Sequence, residues 1–172
     1  MDLKSKIRVI EDYPVEGISF KDITTLLKDR EAFKETLNLM EDALNDIDFD
    51  YIVGIESRGF LFGAPLADRM KKGFIPVRKP GKLPADIEKV SYDLEYGANE
   101  LEIHKDAINK GDRVIIIDDL IATGGSAQAT AKLIESLSGE IAGFEFLIEL
   151  TSLKGRELLK DYKVKSIIEY DH

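Results

Sequence analysis

The stretch RVIIIDDLIATGGSA (113–127) constrains the fold of this chain more than any other. Its first half is an unbroken β-branched apolar run, which buries both of its faces only at the centre of a parallel sheet covered by helices. The second half ends that strand in two consecutive carboxylates, Asp118 and Asp119. It then turns through Thr123-Gly124-Gly125-Ser126 into a segment with Ala127, Ala131, Ile134 and Leu137 on one helical stripe. Elsewhere the same alternation recurs. Apolar residues at Phe33, Leu37, Met40, Leu44 and Ile47 predict a helix over 29–47, YIVGIE (51–56) a strand, 57–72 a turn entering a helix, and FIPV (74–77) another strand. IAGFEFLIEL (141–150) and VKSIIEY (164–170) add two strands around a short helical candidate at 153–162. The expected fold is α/β, a mostly parallel sheet with helices on both faces, in one domain over 1–172.

Two segments depart from the alternation. At the amino end, Asp2 is placed to cap a short helix with Leu3, Ile7 and Ile10 on one face, and Pro14 and Gly17 then lead into GISFKDIT, read as an ordered loop. Residues 78–108 are too polar for a simple crossover and read as a mobile loop. The apolar positions Leu94, Tyr96, Leu101 and Ile103 suggest a hairpin within it.

Composition narrows the function classes. A net charge of −9 over 172 residues argues against nucleic acid or an anionic lipid surface as a partner, so any anion site must be local. The absence of cysteine excludes a disulfide framework, a thiolate metal site and a cysteine nucleophile. No run has the roughly 18 apolar residues of a spanning helix, and the first residues lack a secretory pattern, so a cytoplasmic location without membrane association is expected.

The Asp-Asp and Thr-Gly-Gly-Ser pair carries the chemistry. Glycines at 124 and 125 permit positive φ and remove side chains from the path of an anion, while the N–H groups of 123–126 sit at a helix start. Such a loop grips a phosphate without needing a lysine. Carboxylates repel that phosphate, so Asp118 and Asp119 call for hydroxyl donors or a hydrated cation nearby, and a ribose 5-phosphate satisfies both halves. Neither a P-loop nor a G-x-G-x-x-G fingerprint occurs. Arg58, just after the 51–56 strand, offers a planar charged fork, and Arg78, Lys79 and Lys82 form a basic cluster in an acidic chain.

Residues 114–127 resemble the 5-phosphoribosyl-1-pyrophosphate (PRPP) motif of the type I phosphoribosyltransferases. YPVEGISFKDIT, GIESRGFLFGAPLA, RKPGKLP, SYDLEYGANELEIH and ELTSLKGRELL are similar to the adenine-using branch of that family. The resemblance implies a type I phosphoribosyltransferase fold with a small hood, contributed mainly by the amino-terminal segment, a flexible lid over about 79–103 and usually a homodimer. The implied reaction converts adenine and PRPP to AMP and pyrophosphate in purine salvage, with magnesium carried through PRPP and water and no direct protein ligand. Asp118, Asp119, Ala122, Thr123, Gly124, Gly125 and Ser126 would take the ribose and 5-phosphate. Ser57, Arg58, Arg78, Lys79 and Lys82 would take pyrophosphate, with a cis peptide at Glu56–Ser57. Ser19, Phe20 and Lys21 would take adenine, Lys21 standing where arginine is common in that family. Glu95 would handle the proton of the base, Arg58 would assist departure of pyrophosphate, and Tyr96 would pack the lid. The competing expectations are a transferase for xanthine or hypoxanthine and a PRPP-sensing regulator.

Overall fold

The computed structural model describes residues 1–94 and 97–172. In chain order the elements are β1 (Arg8–Ile10), β2 (Phe20–Asp22), α1 (Thr24–Lys28), α2 (Arg30–Leu44), β3 (Tyr51–Ile55), α3 (Arg58–Arg69) and β4 (Gly73–Val77). There follow β5 (Ile87–Leu94), β6 (Gly97–His104), β7 (Arg113–Ile121), α4 (Gly125–Ser136), β8 (Glu140–Leu150) and β9 (Val164–Tyr170).

β3, β4, β7, β8 and β9 form a parallel sheet in the order β4-β3-β7-β8-β9. The apolar run of β7 lies at its centre, as the sequence predicts. Ile115 and Ile117 enter the layer closed by α1, α2 and α3, where Leu26, Met40, Phe62 and Leu66 are buried. Val114 and Ile116 enter the opposite layer, beneath α4 and the β5–β6 hairpin, with Leu133, Ile134, Leu101 and Ile103. A strand buried on both faces needs no polar alternation.

β7 runs two residues beyond the expected end, to Ile121, because its pairing with β8 continues through Asp118–Phe146 to Ile121–Glu149. The two aspartates therefore project from a rigid ladder. α2 begins at Arg30, with the Asp29 carboxylate accepting the N–H groups of Glu31 and Ala32 at 3.1 Å each, and ends at Leu44.

Three expectations give way. The amino end forms only a 3-10 turn, Leu3–Lys6, before β1, and GISFKDIT contributes β2 in place of a loop. Pairing of Arg8–Ile10 with Phe20–Asp22 supplies long-range partners that a short isolated helix lacks, and Arg8 Nε donates to Asp22 at 2.9 Å. Within 78–108, by contrast, the expected hairpin is present as two eight-residue antiparallel strands, from Ile87 opposite His104 to Leu94 opposite Gly97. The 153–162 candidate is a 3-10 turn over Gly155–Leu159, entered through Lys154 at φ 55°. Among the described residues no helix is long and apolar enough to cross a membrane.

Candidate active site

The carboxyl end of β7, the following loop and the first turn of α4 enclose a cavity of about 250 Å³. Asp118, Asp119, Ala122, Thr123, Gly124, Gly125 and Ser126 all line it, joined by Arg58 from the start of α3 and by Tyr92 and Asn99 from the hairpin. Gly124 caps α4 at φ 89°, a left-handed conformation that an L side chain adopts only at a cost. Its carbonyl accepts the Gln128 N–H at 2.9 Å and so closes the first helical turn. The N–H groups just inside that turn have no intrahelical acceptor, which makes the loop an anion cup.

The cup's outer wall is another backbone. A Cβ on Gly124 would lie 2.7 Å from the Gly155 carbonyl oxygen, and one on Gly155 would lie 2.6 Å from the Ala122 carbonyl oxygen. Both positions need glycine because the chains touch there. Gly155 belongs to ELTSLKGRELL, and only its packing reveals its part in the cup.

The acidic pair is differentiated by its surroundings. Asp119 is buried, and Arg58 Nε donates to its Oδ2 at 2.6 Å. The charge of Asp119 raises the Arg58 pKa, against the opposing effect of burial and with help from Asp118. Asp118 Oδ1 accepts the Asp119 N–H at 2.8 Å. Burial, followed by the charge of Asp119, pushes the Asp118 carboxyl well above the usual carboxylate range. Arg58 therefore stands at the cup on an acidic anchor, with its guanidinium half-exposed.

The basic cluster converges on a residue that sequence reasoning missed. Glu56, with only 5% of its side chain exposed, accepts from Arg78 Nη2 at 3.2 Å and from the Lys79 N–H at 2.7 Å, and pairs with Lys82. Burial pushes its carboxyl up, but Lys82, the Lys79 N–H and Arg78 more than offset this and bring it to about 2. The signal was non-local: β3 and β4 pair with Ile55 opposite Val77, which sets Glu56 beside Arg78. The Glu56–Ser57 peptide is cis. Lys79 lines an adjoining cavity of about 430 Å³ that shares Tyr92 and Asn99 with the cup, so those two side chains link the cluster to the phosphate loop. Tyr92 was also missed. A Cβ on Gly125 would lie 3.5 Å from its ring, and burial, then Asp118, raises its hydroxyl pKa.

The Ser19–Lys21 segment lies elsewhere. Ser19 and Lys21 line a separate cavity of about 490 Å³ with Lys4, Glu169, Tyr170 and His172, whereas Phe20 packs edge-on against Tyr13, centroids 5.2 Å apart. Lys21 Nζ donates to Ser19 Oγ at 2.7 Å and stands 4.6 Å above the Tyr170 ring. Glu95 and Tyr96, the expected proton handler and lid residue, fall outside the described residues. Among the described residues no group of three or more His, Cys, Asp or Glu is arranged to hold a metal ion.

The family model of the phosphoribosyl transferase domain matches residues 22–172. The chain is 59% identical over 170 residues to an adenine phosphoribosyltransferase of Alkaliphilus metalliredigens, covering 99% of this chain and 100% of that one. It is 58% identical over 171 residues to that of Clostridium perfringens, with 99% of each covered. It superposes on the crystal structure of adenine phosphoribosyltransferase from Thermoanaerobacter pseudethanolicus with a TM-score of 0.96 at 53% identity, covering 98% of each chain. The Saccharomyces cerevisiae enzyme, solved with an imino-altritol bisphosphate and adenine, gives a TM-score of 0.90 at 42% identity over 96% of each. With a cup, acidic pair and sheet order built as described, the chain belongs to the phosphoribosyltransferase family and groups within it with the adenine phosphoribosyltransferases.

Proposed function

We propose that this chain transfers the 5-phosphoribosyl group of PRPP to adenine, releasing AMP and pyrophosphate. The observation that carries the reading is the pairing of an anion cup at Thr123–Ser126 with two carboxylates, Asp118 and Asp119, near the end of the strand that leads into it, both lining the same cavity. The cup suits the 5-phosphate and the aspartates suit the ribose hydroxyls. In the reaction the bond from the anomeric carbon to pyrophosphate breaks, a ring nitrogen of adenine bonds to that carbon, and the proton of the base is lost. Negative charge grows on the leaving pyrophosphate, so fixed cations beside it provide the acceleration.

Ser57, Arg58, Arg78, Lys79 and Lys82 are assigned to pyrophosphate, Ser19, Phe20 and Lys21 to adenine, Glu95 to the proton and Tyr96 to the lid. Glu56 gives the pyrophosphate residues a resting partner: three donors gather on one carboxylate and pass to the incoming anion. Magnesium would be carried by PRPP and water with no direct protein ligand, and would offset the negative charge that PRPP adds to a cavity already lined by Asp118 and Asp119. The chain is assigned to the cytoplasm as a homodimer, in purine salvage.

A product assay with PRPP, magnesium and each purine in turn tests the reading. AMP from adenine alone is expected, and a preference for hypoxanthine or xanthine would refute the choice of base. Asp119→Asn should weaken PRPP binding in calorimetry by about ten-fold or more, the loss of one charge-assisted contact. Full affinity in that variant would remove the ribose assignment.

A further inference from the structure

Arg156 lies in the Gly155–Leu159 turn and does not line the cup. Its guanidinium nevertheless engages all three nitrogens. Nε donates to both carboxylate oxygens of Glu149 at 2.9 Å, Nη1 to the Val164 carbonyl at 2.7 Å and Nη2 to the Ser166 hydroxyl at 3.2 Å. The Ser166 hydroxyl donates in turn to Glu149 Oε1 at 2.8 Å, which closes a ring of contacts across β8 and β9.

That ring is anchored beside the cup. Glu149, itself buried, pairs across the ladder with Ile121, the last residue of β7 before the phosphate loop. The residue preceding Arg156 is Gly155, whose backbone meets both Ala122 and Gly124 at the outer wall. A continuous chain of contacts thus runs from Ser166 through Arg156 to the backbone that shapes the anion cup.

We infer that Arg156 is a positioning residue for phosphoribosyl capture, its fork holding Gly155 as the wall that aims the N–H groups of the cup. The inference rests on the reading that the cup takes the 5-phosphate of PRPP. A lysine can meet Glu149 but cannot also reach Val164 and Ser166 with a planar fork. The wall then loses its fixed position, and catalytic geometry is sensitive to displacements of an ångström or less.

The test is steady-state kinetics of the full chain with PRPP and adenine varied separately. Arg156→Lys should raise the KM for PRPP about ten-fold while the KM for adenine stays within about two-fold of wild type. A merely stabilising arginine would instead lower kcat by reducing the folded fraction and leave both KM values alone, which overturns the inference. Should Arg156→Lys fail to fold, Ser166→Ala carries the question, because it removes one arm of the fork and leaves Glu149 paired. A PRPP KM raised about two- to three-fold supports the inference, and an unchanged value overturns it. Asp119→Asn, run in parallel, separates the two levels. If it weakens PRPP and the Arg156 and Ser166 variants do not, only the positioning role fails. If wild type shows no PRPP-dependent product, the reading of the cup itself fails.

Discussion

Replacing Gly124 by alanine attacks the cup at its tightest point, and the neighbouring Gly125→Ala provides the control. At Gly124 the backbone sits at φ 89°, which costs an L residue roughly 1–2 kcal/mol. The added Cβ would also stand 2.7 Å from the Gly155 carbonyl oxygen, so one of two packed backbones must move, at roughly 1–3 kcal/mol more. The combined loss, about 2–5 kcal/mol, corresponds to a fall in Tm of roughly 4–20 °C for a chain of this length. Misaiming one N–H of the cup should additionally weaken PRPP by about ten- to a hundred-fold. At Gly125 φ is not positive and a Cβ would meet only the Tyr92 ring, at an ordinary 3.5 Å. Gly125→Ala should therefore fold at least as stably as wild type, helped by the better helix propensity of alanine. Thermal unfolding of both variants, with calorimetry of PRPP binding to the Gly124 variant, decides the matter. Equal Tm values for the two variants, or wild-type PRPP affinity in Gly124→Ala, would refute the argument from backbone contact.

Two other predictions concern carboxylates whose environments push in opposite directions. The Glu56 carboxyl is held at about 2 against an ordinary value of 4.5, so its contribution to stability is complete above pH 4.5 and is lost as pH falls toward 2. The gap in urea midpoint between wild type and Glu56→Gln should therefore be wide at pH 7 and narrow from pH 4.5 to pH 3. A gap independent of pH would contradict the three-donor cluster. Glu145 is fully buried on β8, both of its oxygens lack a hydrogen-bond partner among the described residues, and burial, opposed in part by Lys165, pushes its carboxyl up to about 9. Its neutral form is the folded form, so stability falls as pH rises from its ordinary 4.5 toward 9. Glu145→Gln removes that slope and should gain up to about 3 kcal/mol over wild type at pH 7, relative to pH 4. Chemical denaturation at the two pH values checks this, and an advantage that does not grow with pH would overturn it.

Local features of the chain were readable where one segment carries its own reason for its shape. The β-branched run of β7 announces a strand buried on both faces, the apolar spacing after Asp29 announces α2, and Thr-Gly-Gly-Ser after two aspartates announces an anion site. Each pattern lies within about fifteen residues, and burial periodicity is a local property. The same logic misread the amino end. Leu3, Ile7 and Ile10 do share helical spacing, but β1 found its partner in β2, which begins ten residues after it ends.

Other features arise from segments far apart in the chain. Glu56 gathers Arg78, Lys79 and Lys82 because β3 and β4 run side by side in register, a fact that no spacing within 51–82 states. Tyr92 reaches the phosphate loop because the hairpin folds over α4, and Gly155 walls the cup because the turn after β8 packs against the loop after β7. Periodicity and turn chemistry therefore specify the strand, the cup and the acidic pair. Strand order and the packing of distant backbones choose the neighbours of each charge, because burial and Coulomb interaction depend on distance in space and not on distance along the chain.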